Sequence, residues 1–248
     1  MSNQRRLKSS TNRYHIMSRG VGRCLIFEED RDREQLLTLL DDIQERGGVT
    51  VHAWCLMDNH YHLLVESELI RLSRSMRHLN SAYALYFNEQ HGRSGHLFQG
   101  RFMSEPVDSD VYYLTVLRYI HQNPLRAGLA RSCAYPWSSF VDYMTVPRHC
   151  SNHLTKTLLK GADEFSSLHD EQTYERLPID VEFLTRGATS DQVVLQARAA
   201  LGSVSPEEVS GLCRERRDAA LRKLKDTHLS VRQIERLTGV PKSIVARA

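Results

Sequence analysis

The stretch Cys55-Leu56-Met57-Asp58-Asn59-His60-Tyr61-His62-Leu63-Leu64-Val65 decides the fold. Upstream, Val49, Val51, Ala53, Cys55 and Met57 alternate with other residues, which predicts a strand over 49–57 with these five on one face. Asp58-Asn59 supplies turn chemistry, and His60 to Val65 reads as the returning strand, so the stretch predicts a hairpin. Residues i and i+2 of a strand share a face, which sets His60 beside His62. Two imidazoles so placed are able to grip one divalent metal ion. Two polar histidines serving only the core or the surface fit the same spacing.

On the N-terminal side, Arg13-Tyr14-His15-Ile16-Met17-Ser18-Arg19 reads as a first strand, broken by Gly20 to Gly22. Asp30 to Arg46 carries Leu36, Leu37, Leu39, Leu40 and Ile43 as a helical stripe, stopped by Gly47-Gly48. Downstream, Leu72, Met76, Leu79, Tyr83 and Phe87 recur at helical spacing within Leu69 to Gln90. A loop, His91 to Gly95, leads to a fourth strand over Leu97–Val107. A helix over Asp108–Gln122 follows, with Asp108 or Ser109 as N-cap. Pro124 is expected to end it, because the residue before proline avoids the helical region. Tyr135 to Phe140 reads as a short segment capping the sheet. The order β-α-β-β-α-β-α predicts an α+β class and a ferredoxin-like antiparallel sheet, with helices packed on one face and a C-terminal helical extension.

The last of these helices carries a second set of reactive groups. Tyr119 and Asn123 are four residues apart and so lie one turn apart on one face. Asn123 offers a carbonyl oxygen, a hard ligand suited to magnesium or manganese. Tyr119 offers a phenol beside it. Packed across the sheet face that bears His60 and His62, this helix would assemble two imidazoles, an amide, a metal and a phenol. Such a set fits phosphoryl transfer to tyrosine. Tyr112 and Tyr113 lie on the same helix, and a tyrosine that merely fills the core fits the pattern too.

Composition sets the wider frame. The 248 residues suit one or two domains. An apolar fraction of 41% and a charged fraction of 25% argue against a disordered or fibrous chain. No apolar run approaches the roughly 18–20 residues that span a bilayer, so no membrane association is expected. The charges of Met1 to Lys8 have no apolar segment behind them, unlike a signal peptide. Cys24, Cys55, Cys133, Cys150 and Cys213 are scattered, which argues against a disulfide framework and makes the cytoplasm the expected compartment.

The net charge of +3 is unevenly spread: residues 151–210 carry −5 and residues 211–248 carry +6. The expected organisation is a sheet domain over 1–145, an acidic helical connection over 146–190, and a helical domain over 191–248. Within the last, Ser230–Leu237 and a helix beginning near Pro241, joined by Thr238-Gly239-Val240, have the pattern of a helix-turn-helix. Lys242 and Ser243 would then stand where such a motif reads bases. A plain helical hairpin is the other reading.

Five ordered motifs resemble the HUH single-tyrosine transposases, specifically the REP-associated tyrosine transposase group, which is IS200-like. They are Tyr14-His15-Ile16-Met17-Ser18-Arg19-Gly20, then Cys55 to Val65 as quoted, then Gly95-His96-Leu97-Phe98-Gln99-Gly100-Arg101-Phe102. Leu117-Arg118-Tyr119-Ile120-His121-Gln122-Asn123-Pro124-Leu125-Arg126-Ala127-Gly128-Leu129 and Trp137-Ser138-Ser139 complete the set, which spans 13–143.

The resemblance implies an HUH nuclease fold, Tyr119 as nucleophile, and a Mg2+ or Mn2+ ion held by His60, His62 and Asn123. It implies cleavage and rejoining of single-stranded DNA near a palindromic hairpin through a 5′-phosphotyrosine link. Arg19, Gln99 and Arg101 are the expected DNA contacts in the matched region, and a monomer is favoured over a homodimer. Asp58 and the Val21-Gly22-Arg23 run depart from the group's usual residues, which bears on DNA choice. A DNA-binding regulator that keeps the fold without strand transfer is the competing reading. A phosphoesterase using water as nucleophile would want a second H-x-H or H-x-Ser/Thr copy on a symmetric strand, and the chain has one H-x-H.

Overall fold

A computed structural model describes residues 6–170, 177, 179, 197–202, 204–227, 229 and 231–247. The chain divides into two compact units, Met1–Glu175 and Arg176–Ala248. The first unit runs β1 (Arg13–Arg19), α1 (Asp30–Glu45), β2 (Thr50–Met57), β3 (His60–Glu66), α2 (Leu69–Gln90), β4 (Met103–Pro106) and α3 (Asp110–Arg126). Three short helices follow: α4 (Phe140–Met144), α5 (His153–Leu158) and α6 (Ala162–Asp170). The strands lie in the order β2-β3-β1-β4, and every neighbouring pair is antiparallel. This is the ferredoxin-like arrangement read from the element order. No helix among the described residues is long and apolar enough to cross a membrane.

Alternation along β1 and β3 sorts the two faces. Tyr14, Ile16, Tyr61, Leu63 and Val65 join Leu36 and Leu40 of α1 and Leu72, Met76 and Tyr83 of α2 in one core. The opposite face carries His15, Met17, His62 and Leu64, all buried. The expectation of helices on one face is therefore corrected. α3 packs on β2 and β3 from the other side, because that face is also apolar enough to need cover.

Three further expectations are corrected. The single face predicted for Val49 to Met57 is split, since the β2–β3 register shifts between Val51 and Ala53. A bulge of this kind turns the residues beyond it to the other side. Val49, Val51, Trp54 and Leu56 thus belong to the α1–α2 core, while Cys55 pairs with His62. The fourth strand shrinks from Leu97–Val107 to Met103–Pro106. Residues before it run along β1 as single contacts instead: Gly20 bridges Phe98, and the Gln99 N–H donates to the Arg19 carbonyl at 2.8 Å. Finally, α3 does not stop at Pro124 but runs to Arg126. A proline lacks the N–H that would bond back one turn. Here that loss falls in the last turn, which the Ala127 N–H closes on the Asn123 carbonyl at 3.0 Å. The start of α3 follows expectation, with Ser109 Oγ accepting from the Tyr112 N–H at 3.1 Å.

Residues after α3 cap the free edge of β2, as expected of the Tyr135–Phe140 segment. The Leu56 N–H donates to the Trp137 carbonyl at 2.8 Å, and the Trp54 N–H donates to Ser139 Oγ at 2.9 Å. Covering an edge strand in this way satisfies backbone groups that would otherwise recruit another chain. His121 of α3 ties the same region together. Its Nε2 meets Ser139 Oγ at 2.8 Å and its Nδ1 meets His169 Nε2 of α6 at 2.9 Å. His169 Nδ1 in turn donates to the Phe165 carbonyl at 2.7 Å.

The second unit has its own core, including Leu201, Val209, Leu221, Leu224, Ile234, Val240 and Val245. Its helices are α7 (Arg214–Asp226), α8 (Val231–Thr238) and α9 (Lys242–Arg247). Gly239, between the last two, takes φ 69°, a left-handed turn that favours glycine. Ser230, the expected start of the first helix of this pair, and residues 180–196 lie outside the described residues.

Candidate active site

The site forms where α3 crosses the sheet face bearing the H-x-H pair. The turn at Asp58-Asn59 starts β3 at His60, so the two imidazoles project from one face. Their ring centroids lie 5.1 Å apart, with planes at 82°. The Tyr119 ring stands edge-on to His62, at 5.6 Å, and to His15, at 5.7 Å. Arg126, one further step along the same helix face, sets its guanidinium carbon 4.8 Å from the Tyr119 ring centroid. Asn123 lies between Tyr119 and Arg126 on that face, by helical spacing. His60, His62 and Tyr119 are thus brought to one place, with Asn123 one helical turn from Tyr119.

The two imidazoles are held in their neutral form. Burial pushes the His60 imidazole down to about 3, and the Arg19 guanidinium adds to the effect. Burial holds His62 well below its ordinary value, with His60, His15 and Arg126 contributing. Both rings are therefore neutral near pH 7, the form that ligates metals. His62 Nε2 is buried with no hydrogen-bond partner among the described residues, and so is Asn123 Nδ2. Which amide atom of Asn123 is nitrogen is an assignment, and the flipped amide puts its oxygen in that place. A buried imidazole nitrogen and a buried amide left without partners are each costly unless something satisfies them. No three His, Cys, Asp or Glu side chains among the described residues are grouped to hold a metal. Two imidazoles and one amide oxygen are therefore the donors available, and they fit a Mg2+ or Mn2+ ion completed by water or phosphate oxygens.

Of the expected DNA contacts of the first unit, Arg19 and, through it, Gln99 lie close by. Arg19 is the strand partner of His60, and its Nε donates to Gln99 Oε1 at 2.8 Å. Burial and Arg23 lower the Arg19 guanidinium to about 10. Gln99 and Arg101 line a groove of about 760 Å³ together with Arg6, Arg77, Phe98 and Phe102. Cations and aromatic rings in one groove suit a phosphate chain with unstacked bases. Lys242 and Ser243 are exposed on the second unit.

Sequence reasoning missed His15, Glu105 and Arg126. His15 sits in a quoted motif, but its proximity to His62 depends on the β1–β3 register. Glu105 becomes its neighbour only through the β1–β4 pairing. Arg126 was signalled by its seven-residue spacing from Tyr119, and that signal was lost by ending the helix at Pro124.

Residues 8–123 match the family model described as Transposase IS200 like. That stretch holds all four strands and every residue of the H-x-H and tyrosine set. The match covers a little under half of the chain and makes this stretch similar to IS200-like transposases. The chain is also similar to a solved structure of a REP-associated tyrosine transposase bound to a REP hairpin. The match has 19% identity and a TM-score of 0.48, covering 58% of this chain and 86% of the other. A Deinococcus radiodurans R1 protein provisionally assigned as a transposase matches at 19% identity with a TM-score of 0.34, covering 49% and 97%. No curated protein matches the chain.

Proposed function

We propose that the protein cleaves and rejoins single-stranded DNA, with Tyr119 as the nucleophile. The observation that carries this reading is the convergence of the Tyr119 ring, the His62 imidazole and the Arg126 guanidinium at 5.6 and 4.8 Å. DNA as partner follows from the likeness to IS200-like transposases, and a strand beside a palindromic hairpin from the resemblance in the motifs. The groove lined by Arg6, Arg77, Gln99 and Arg101 offers a path for that strand.

His60, His62 and Asn123 would hold a Mg2+ or Mn2+ ion, which when bound neutralises charge on the scissile phosphate. Tyr119 Oη bonds to phosphorus and the bond to the 3′-oxygen breaks. The phenol proton passes to solvent, and the leaving 3′-oxygen takes up a proton as a hydroxyl. The 5′ side stays linked as phosphotyrosine, which conserves the bond energy, and a second 3′-hydroxyl reverses the exchange. Arg126 stabilises negative charge on the Tyr119 oxygen as the proton is lost. Arg19, held by Gln99, faces the phosphates on the same sheet face as His60.

Labelled hairpin oligonucleotides with single-stranded flanks, incubated with Mn2+ or Mg2+, should give a covalent adduct on a denaturing gel. The adduct should require metal and vanish in Tyr119→Phe. Cleavage that survives in Tyr119→Phe would mean that water or another tyrosine attacks.

We also read the second unit as a duplex-DNA module. The support is a pair of helices joined at the left-handed Gly239, sharing a core, in a segment of +6 charge. Lys242 and Ser243 would face the DNA. Removing both side chains in the full chain should weaken duplex binding at low salt and leave adduct formation on single strands unchanged.

A further inference from the structure

His15 lies in the middle of β1, fully buried, and nothing above gives it a task. Its Nε2 stands 2.9 Å from His62 Nδ1, with ring centroids 5.1 Å apart and planes at 30°. On its other side, His15 Nδ1 has no hydrogen-bond partner among the described residues and lies 3.9 Å from Glu105 Oε2. Glu105 is the residue directly across the ladder from His15, and the Tyr112 hydroxyl donates to its other carboxylate oxygen, Oε1. Four groups on four elements therefore form one line: Tyr112, Glu105, His15 and His62.

Two neutral imidazoles that face each other through nitrogen have one proton to place between them. In one arrangement His62 Nδ1–H donates to His15 Nε2. His15 then carries its own proton on Nδ1, 3.9 Å from the Glu105 carboxylate, and His62 Nε2 is a bare lone pair. In the other, His15 Nε2–H donates to His62 Nδ1. His15 Nδ1 then turns a bare lone pair on the carboxylate, and His62 Nε2 carries a proton that prevents it from ligating a metal. An anion 3.9 Å away favours an N–H over a lone pair, so the carboxylate selects the first arrangement.

We propose that His15, backed by Glu105, is the positioning residue that fixes His62 in the tautomer presenting Nε2 to a divalent cation. The proposal rests on the reading of His62 as a metal ligand. Hydrogen-bond partners behind a ligating histidine set its orientation and tautomer, and their loss typically costs about 10- to 100-fold in metal affinity. The line also orients the ring against which Tyr119 packs, so one residue serves both the ligand and the nucleophile.

The test uses the full chain and two readouts besides activity. The first is the tautomer of His62 in metal-free protein, from long-range nitrogen–proton NMR correlations assigned with His62→Ala. The second is Mn2+ affinity measured directly by titration. Wild type should show His62 as the Nδ1–H form. His15→Phe fills the volume without an acceptor and should lower Mn2+ affinity about 10- to 100-fold. Glu105→Gln, at a more accessible position, keeps size but replaces the anion with an amide able to donate to His15 Nδ1. It should shift His62 toward the Nε2–H form and weaken Mn2+ binding, while Glu105→Asp should restore part of both.

A His62 ring found as Nε2–H in wild type would overturn the proposal, as would variants that bind Mn2+ within twofold of wild type. Mn2+ binding equally tight in His62→Ala would instead show that His62 is no ligand. The underlying reading would then fall, and the proposal with it.

Discussion

Arg126 offers the sharpest test of how the site handles charge. Its guanidinium carbon lies 4.8 Å from the Tyr119 ring centroid. In the proposed reaction Tyr119 gains negative charge as its proton is lost during attack. A unit charge at that distance, at an effective dielectric near 20, is worth about 3.5 kcal/mol. Arg126 is half-buried, and solvent and ions around it cut the figure by half or more. About 1–2 kcal/mol remains, which corresponds to a loss of roughly 5- to 30-fold in rate for Arg126→Gln. Arg126→Lys keeps a cation with poorer reach over the ring and should recover part of that loss. The assay is the single-turnover rate of adduct formation at saturating DNA, which removes any effect on binding. An Arg126→Gln rate within twofold of wild type would refute the reasoning. So would an Arg126→Lys variant as slow as Arg126→Gln, because charge rather than shape carries the effect.

Two predictions concern the scaffold. Asp32 Oδ2 accepts from the Glu28 and Glu29 N–H groups at 2.9 Å each, and His91 Nε2 donates to the same carboxylate at 3.1 Å. Asp32→Ala should therefore cost about 3 kcal/mol, and Asp32→Asn less, because an amide oxygen still accepts from both backbone groups. Urea titration followed by Trp54 and Trp137 fluorescence reports the first unit alone, since both tryptophans lie there. Burial alone would raise the Asp32 carboxyl, but the hydrogen bonds from Glu29, His91 and Glu28 outweigh it and leave it lowered. Its contribution is present above the ordinary carboxylate range and lost as pH falls through the lowered value. His169 is pushed down to about 4 and His121 well below its ordinary value, burial being the main cause in both. The unfolded chain binds protons that the folded state refuses, so stability should fall as pH drops from about 6.5 toward 4. His169 alone accounts for about 2 kcal/mol between pH 7 and 5. Unfolding curves of His169→Phe should show a shallower pH slope, and an unchanged slope would show that this pair does not set it.

Much of the fold was legible because its signals are local. The stripe of Leu72, Met76, Leu79, Tyr83 and Phe87 gave α2 its observed bounds, Leu69–Gln90. The Asp58-Asn59 turn gave the hairpin and so the shared face of His60 and His62. What was misread depends on partners far along the chain. The bulge between Val51 and Ala53 exists only in the pairing with β3. The short β4 reflects where β1 can accept a neighbour, which the apolar run over 97–107 does not encode. Pro124 was read by the rule that the residue before proline avoids the helical region, and the helix tolerates it because only its last turn is affected. His15 was in plain view in a motif, but its role beside His62 and Glu105 comes from two strand registers at once.

The hydrogen bonds of His121 reach beyond stability. Tyr119 and His121 are two residues apart on α3, so they leave the helix in widely separated directions. One faces the sheet, and the other is pinned to Ser139 at 2.8 Å and to His169 at 2.9 Å. Turning the helix about its axis to carry Tyr119 elsewhere would break both bonds and expose a buried imidazole. The tyrosine is in effect a fixed anvil. In the proposed reaction a DNA end joined to it would stay where the cut was made, and any exchange of strands would be choreographed by the DNA, bringing the incoming 3′ end to a stationary residue.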